Sequence, residues 1–309
     1  MMIVDLDYAL LLFQYSDNAR ESGDQLQAMA YINQASEVLV ALDHYYALTS
    51  LERSGSLSLD LGQLQDAFDY FETYLNLMRK FHAENGKDQE IKQGLGIACA
   101  ALARAQHVKG NFSTAYQLYQ EYYHICKQLH ETNPTATHLK HHLAKAQCYL
   151  GNESLANGDY ETAAEWYTQF NQCCQELVTQ DQNQDFRQDL GISYLKLAEI
   201  HEIKGEMELV FIFYHSFQNI AQELHQENPH NIEYKIDLAS GHLRMGQTYK
   251  ILESYDEAQE HIEIYYRLAH QIYEVAPQNH NNLDRLAIAY SNMGWIIQVK
   301  SEVKIAQRH

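Results

Sequence analysis

The segment HLKHH, His138 to His142, places two imidazoles one helical turn apart with His141 beside them, a spacing that zinc can use. No cysteine or carboxylate of the segment completes a ligand set, and seventeen histidines in one chain make such pairs common. His124 with Cys126 has the residue types of an activated thiol, and Cys173-Cys174 those of a redox pair. Adjacent cysteines on a helix face different ways, so these letters read as small core and surface residues. The chain carries no glycine-rich phosphate loop, no G-x-S-x-G elbow and no H-E-x-x-H helix. The expectation is a non-enzyme with no catalytic residue, no metal and no cofactor.

What positions these residues is a repeat. The small residues Ala28, Ala67, Ala115, Ala163, Val210, Ala258 and Ala306 form one column with a period of about 48 residues, shorter only at the first interval. Five residues before each stand Gly23, Gly62, Gly110, Gly158 and Gly205, then Glu253 and Ser301. Glycine at that place ends one helix and reverses the chain. Fourteen residues after the small residue comes a large apolar one: Leu42, Phe81, Leu129, Leu177, Leu224 or Ile272. The only prolines, Pro134, Pro229 and Pro277, punctuate the exits.

Each repeat divides into two helices of about 20 residues, about 30 Å long. In the fourth, residues 138 to 157 and 159 to 178 carry apolar residues at three-and-four spacing: Leu139, Leu143, Ala146 and Leu150, then Trp166, Tyr167, Phe170 and Leu177. Tyr119 and Tyr122 share columns with Tyr167 and Phe170, Tyr214 and Phe217, and Ile262 and Tyr265. The aromatics therefore read as packing between neighbouring helix pairs. The expected organisation is one solenoid over 1–309, with repeats at 5–43, 44–86, 87–134, 135–182, 183–229 and 230–277 and an incomplete one at 278–309. Its fold class is all-α: a right-handed α-solenoid of antiparallel helix pairs.

Composition limits the partners. Of 309 residues 41 are acidic and 22 basic, a formal net charge of -19, so the long-range field repels phosphate backbones and anionic lipid. A protein or peptide partner is expected, a basic one associating fastest, with no nucleic acid and no membrane. Five scattered cysteines suit a reducing compartment. The N-terminal MMIVDLDYALLLF has acidic residues and no basic one before its short apolar run, which fits neither a signal peptide nor a spanning helix. The expected location is the cytoplasm.

The segments YLGNESLANGDYETAAEWYTQF (149 to 170) and RMGQTYKILESYDEAQEHIEIYY (244 to 266) resemble the tetratricopeptide repeat. Leu150-Gly151, Met245-Gly246 and Met293-Gly294 match its leucine-glycine pair, Leu102-Ala103 and Leu197-Ala198 come close, and Tyr15-Ser16 and Ser54-Gly55 match poorly. The usual repeat has about 34 residues, so both helices here are lengthened, as in bacterial long-helix repeats that accompany a caspase-like protease or a nucleotide-dependent switch domain. Neither companion is in this sequence.

The resemblance implies a protein–protein interaction scaffold or adaptor whose first helices line a concave groove for a partner segment, with regulation of an associated effector such as a protease. The alternative it implies is a peptide-sensing regulatory module that changes superhelix shape on binding. The family's groove positions fall on Arg104 and His107, Lys145 and Asn152, Glu199 and Glu202, Gln247 and Lys250, and Trp295 and Gln298. In the first two repeats they fall on Asp17 and Arg20, and on Glu52 and Ser56. Asn152, Lys196, Arg244 and Asn292 stand at broadly suitable heights for the family's carboxylate clamp, but Cys148 replaces its expected lysine. In the seventh repeat, a first helix from Leu283 to Lys300 is expected, with a second that stops within SEVKIAQRH. That leaves Trp295, Ile296, Ile297 and Val299 partly uncovered, and this end is expected to dock on a partner, a second copy or a continuation of the chain.

Overall fold

The computed structural model describes residues 6–21, 24–42, 46–277 and 279–306. Gly23 lies outside them, as do the side chains of Arg20, Ser301 and Ala306. Among the described residues there are thirteen helices and no strand. They fall in pairs: α1 (Leu6–Glu21) with α2 (Gln25–Ala41), α3 (Tyr46–Asp60) with α4 (Leu64–Glu84), α5 (Gln89–Val108) with α6 (Phe112–Thr132), and α7 (Thr137–Ala156) with α8 (Tyr160–Gln180). Then follow α9 (Gln184–Lys204) with α10 (Met207–Glu227), α11 (Ile232–Ile251) with α12 (Tyr255–Val275), and α13 (His280–Ala306).

Two compact units divide the chain between Trp166 and Tyr167, a point inside α8. In each, a helix packs chiefly on the helices just before and after it in sequence, so each unit is a stack of antiparallel helix pairs. Unit 1 is cored by Phe71, Tyr74, Met78, Tyr119, Tyr122, Leu129 and Leu150. Unit 2 is cored by Phe217, Leu238, Tyr265, Leu268 and Ile272, with Tyr214 and Met245 in an adjoining cluster. The aromatic columns are buried throughout: Tyr167, Phe170, Tyr214, Phe217 and Tyr265 are at most 2 % exposed.

Local chemistry sets the boundaries. The carboxylate of Asp88 accepts from the backbone N–H groups of Glu90 and Ile91, and Asn231 does the same for Glu233 and Tyr234, satisfying donors that the first helical turn leaves open. Gly62, Gly110, Gly158 and Gly205 all take positive φ between paired helices, the conformation that lets the chain reverse. Glu253 occupies the same place in the sixth repeat and takes φ 59°, the one positive-φ residue among those described that is not glycine. The small column does what close helix crossing requires. Ala67, Ala115, Ala163 and Ala258 are fully buried, and a Cβ on Gly246 would come within 2.9 Å of Ile262 Cγ1.

The last repeat departs from expectation. No turn follows Lys300: α13 runs unbroken for 27 residues. Ser301 stands where a glycine reverses the chain elsewhere, and SEVKIA contains no residue that ends a helix. Gly294, which matches the repeat motif, has open space beside it. Ile296 is buried at 2 % exposure on Ala258 and Ile262, whereas Ile297 is 65 % exposed.

Candidate functional site: a charged, tyrosine-walled cleft in unit 1

Between α3, α5 and α7 lies a cleft of about 290 Å³ lined by Glu52, Ala101, Arg104, His142, Lys145 and Tyr149, with the buried rings of Tyr119 and Tyr122 from α6 beneath. The heptad-like spacing of the first helices puts these residues on one face. Glu52, Arg104 and Lys145 come from three successive repeats. Tyr119 stacks on Tyr149 with ring centroids 4.8 Å apart, and the Tyr122 hydroxyl lies 2.9 Å from His142 Nδ1. Burial pushes both tyrosine hydroxyls up and out of any physiological titration. Burial, with Lys145 and the neighbouring histidines, pushes His142 down to about 4, so it stands in the cleft as a neutral imidazole.

The charges are arranged unequally. Arg104 donates to Ser56 Oγ at 3.0 Å and lies over the Phe71 ring at 5.6 Å, which fixes its guanidinium. Neither Glu52 nor Lys145 has a hydrogen-bond or ion-pair partner among the described residues. Glu52 also lines a neighbouring cleft of about 290 Å³ with Asp17, Arg53, Ser56 and Asp60. There Arg53 is held by Asp17 at 2.9 Å, so that cleft is acidic on balance.

Of the ten groove residues expected from sequence, four lie in unit 1 and six in unit 2, and the cleft gathers Arg104 and Lys145. His107 is turned to Glu153 at 2.6 Å, and Asn152 is half-buried near Cys148 Sγ. In unit 2, Glu199 is held by Lys196 at 3.1 Å and Arg244 at 3.0 Å, while Glu202 accepts from the Tyr214 hydroxyl at 2.7 Å. Lys196 and Arg244, two of the clamp positions, are thus turned to a carboxylate of the chain itself. Asn292 donates to Ile288 O. Lys250 lies 4.0 Å over the Trp295 ring; Gln247 is half-buried and Gln298 exposed. His142, Tyr119, Tyr122 and Tyr149 were not among the expected groove residues. The aromatic columns of Tyr119 and Tyr122 pointed only to packing, and the signal that could have found the cleft is the single tyrosine, Tyr149, on an otherwise polar face of α7.

Among the described residues no group of three or more potential ligands could hold a metal ion. Nor is any described helix long and apolar enough to cross a membrane.

No family model and no curated protein matches the sequence. Solved structures do. The signal-transduction ATPase (STAND) with a tetratricopeptide repeat sensor from Pyrococcus horikoshii superposes with a TM-score of 0.60 at 12% identity, over 96% of this chain and 43% of that one. The chain has the tetratricopeptide-repeat fold. A Rap protein in complex with Competence and Sporulation Factor gives 0.57 at 14% identity, over 98% of this chain and 77% of that one. BtubC from P. vanneervenii gives 0.54 at 17%, over 79% and 90%. The repeats here differ from the usual form in length, since their second helices run to 21 residues in α4, α6, α8, α10 and α12.

Proposed function

We propose that the chain is a non-catalytic interaction scaffold of the cytoplasm that holds a segment of another protein in the unit 1 cleft. The observation that carries this reading is the pair of unpartnered charges, Glu52 and Lys145, on a cleft floored by ordered aromatic rings. Charges left unpaired at a concave site are available to a ligand, and aromatic walls bury apolar side chains beside them. With Arg104 fixed on Phe71, the cleft offers two cations and one carboxylate drawn from three successive repeats. A partner segment carrying an acidic and a basic residue around an apolar one fits that order, and the acidic cleft next to it favours further basic residues. Through such a segment the scaffold brings an effector under control of its other contacts.

A second reading is a peptide sensor that changes shape on binding. It is supported by the likeness to a repeat sensor and to a Rap protein bound to Competence and Sporulation Factor. The test begins with a photo-crosslinking residue at Ala101 in the full chain, with and without Lys145→Glu, in native lysate. A partner cross-linked by the parent and lost with Lys145→Glu supports the cleft. Equal cross-linking by both overturns it. X-ray scattering of the complex then separates the readings: an unchanged envelope is a scaffold, an altered one a sensor.

A further inference from the structure

We infer a second docking surface, independent of the cleft: an apolar groove in unit 2 that takes an amphipathic, basic helix of a protein partner. The groove, about 510 Å³, is walled by Met207, Phe211 and Ile212 of α10 and by Leu252 just after α11, with Glu208 as its one charged wall residue. Its volume lies in the range of clefts that hold ligands, about 300–1,000 Å³. Ile212 is 54 % exposed and Leu252 47 % exposed, and Ile251 beside it is 55 % exposed. Large apolar side chains gathered in this way, outside the core, mark interaction sites.

Two features give the occupant its chemistry. Glu208 has no hydrogen-bond or ion-pair partner among the described residues, so an unneutralised carboxylate stands in an apolar wall. The residue following Leu252 is Glu253, held at φ 59° where four other repeats use glycine. A carboxylate there is kept against a backbone preference that glycine would satisfy. The Glu208 carboxylate asks for a cation on the polar side of whatever fills the groove, and Glu253 adds negative charge one residue beyond Leu252. Among the described residues there is no strand, so an extended segment finds no sheet edge to join, and a helix with anchors at three-and-four spacing is the fitting form. The formal charge of -19 opposes both a second copy of the chain and anionic lipid at this surface.

The test titrates the full chain against a labelled 18-residue helix with leucine on one face and lysine on the other, followed by fluorescence anisotropy. An analogue with glutamate in place of lysine is the charge control. We expect Ile212→Ser with Leu252→Ser to weaken binding about tenfold or more and Glu208→Lys about threefold to tenfold, with salt weakening the parent. Glu165→Lys, an exposed unit 1 carboxylate, and Lys145→Glu should change it less than about twofold. The proposal is overturned by no binding at about 100 µM protein, by equal binding of the glutamate analogue, or by binding that survives the double substitution. Self-association in sedimentation, or capture by phosphatidylglycerol vesicles, that the double substitution abolishes would assign the groove to a second copy or to lipid instead. Both altered apolar residues are about half exposed, so the fold tolerates the change, and circular dichroism checks it.

Discussion

His107 Nδ1 lies 2.6 Å from Oε1 of Glu153, a carboxylate whose own side chain is only 2 % exposed. Burial pushes Glu153 up, and His107 opposes that. The second oxygen, Oε2, is buried without a hydrogen bond. One residue from α5 therefore makes a buried carboxylate of α7 tolerable. His107→Ala should cost about 1–3 kcal/mol, discounted because the imidazole is 41 % exposed, and Glu153→Gln added to it should recover part of the loss. Urea denaturation of the single and double variants measures this. A single variant as stable as the parent would show that the carboxylate finds water.

Ala115 and Ala163 are fully buried at the helix crossings of two repeats. Enlarging either to leucine should overfill the crossing and cost about 1–3 kcal/mol. A melting temperature unchanged in both variants would mean that the small column does not set the crossing.

Glu253 predicts a gain. Replacing it by glycine relieves the left-handed backbone and should stabilise unit 2 by about 0.5–1 kcal/mol, after the extra freedom that glycine gives the unfolded chain is subtracted. Gly205→Ala is the reverse experiment and should destabilise by a similar amount. Thermal melts of the two variants should move in opposite directions.

Acid should weaken the fold through its neutral histidines. Burial, then His261 and Arg267, pushes His242 down to about 4, and its Nδ1 lies 3.1 Å from His261 Nδ1. His142 is likewise pushed down to about 4. An unfolded histidine titrates near 6.5, so between about pH 6.5 and 4 the unfolded chain binds more protons and stability falls as pH falls. Asp237, pushed up to about 6 by burial, acts with the opposite sign between its ordinary range and that value, and partly offsets the loss. His242→Asn should flatten the decline between pH 7 and 5 by about 1–2 kcal/mol. A decline as steep in the variant as in the parent would exonerate this pair.

Helix pairing and glycine turns were legible in the sequence because a period of about 48 residues repeats both the turn residue and the small residue that follows it. The burial of Tyr167, Tyr214 and Tyr265 follows from the same column. The cleft was only half legible. The family resemblance alone pointed to Arg104 and Lys145, and it did not tell Glu199 and Glu202 from free groove residues. Lys196 is a local i,i+3 partner of Glu199, but Arg244 and Tyr214 lie 45 and 12 residues from the carboxylates they hold, and no local pattern announces those two pairings. The unbroken α13 departs from the repeat pattern because Ser301, unlike the glycines at the same place in other repeats, does not force a turn.

Packing mostly between sequence neighbours has a kinetic side. A chain whose helices meet those just before and after them never has to close a long loop, so order can start at any well-packed pair and spread outward within its unit. Amide protons of α5 and α6, whose side chains fill the unit 1 core, should then outlast those of the more exposed α1 by orders of magnitude.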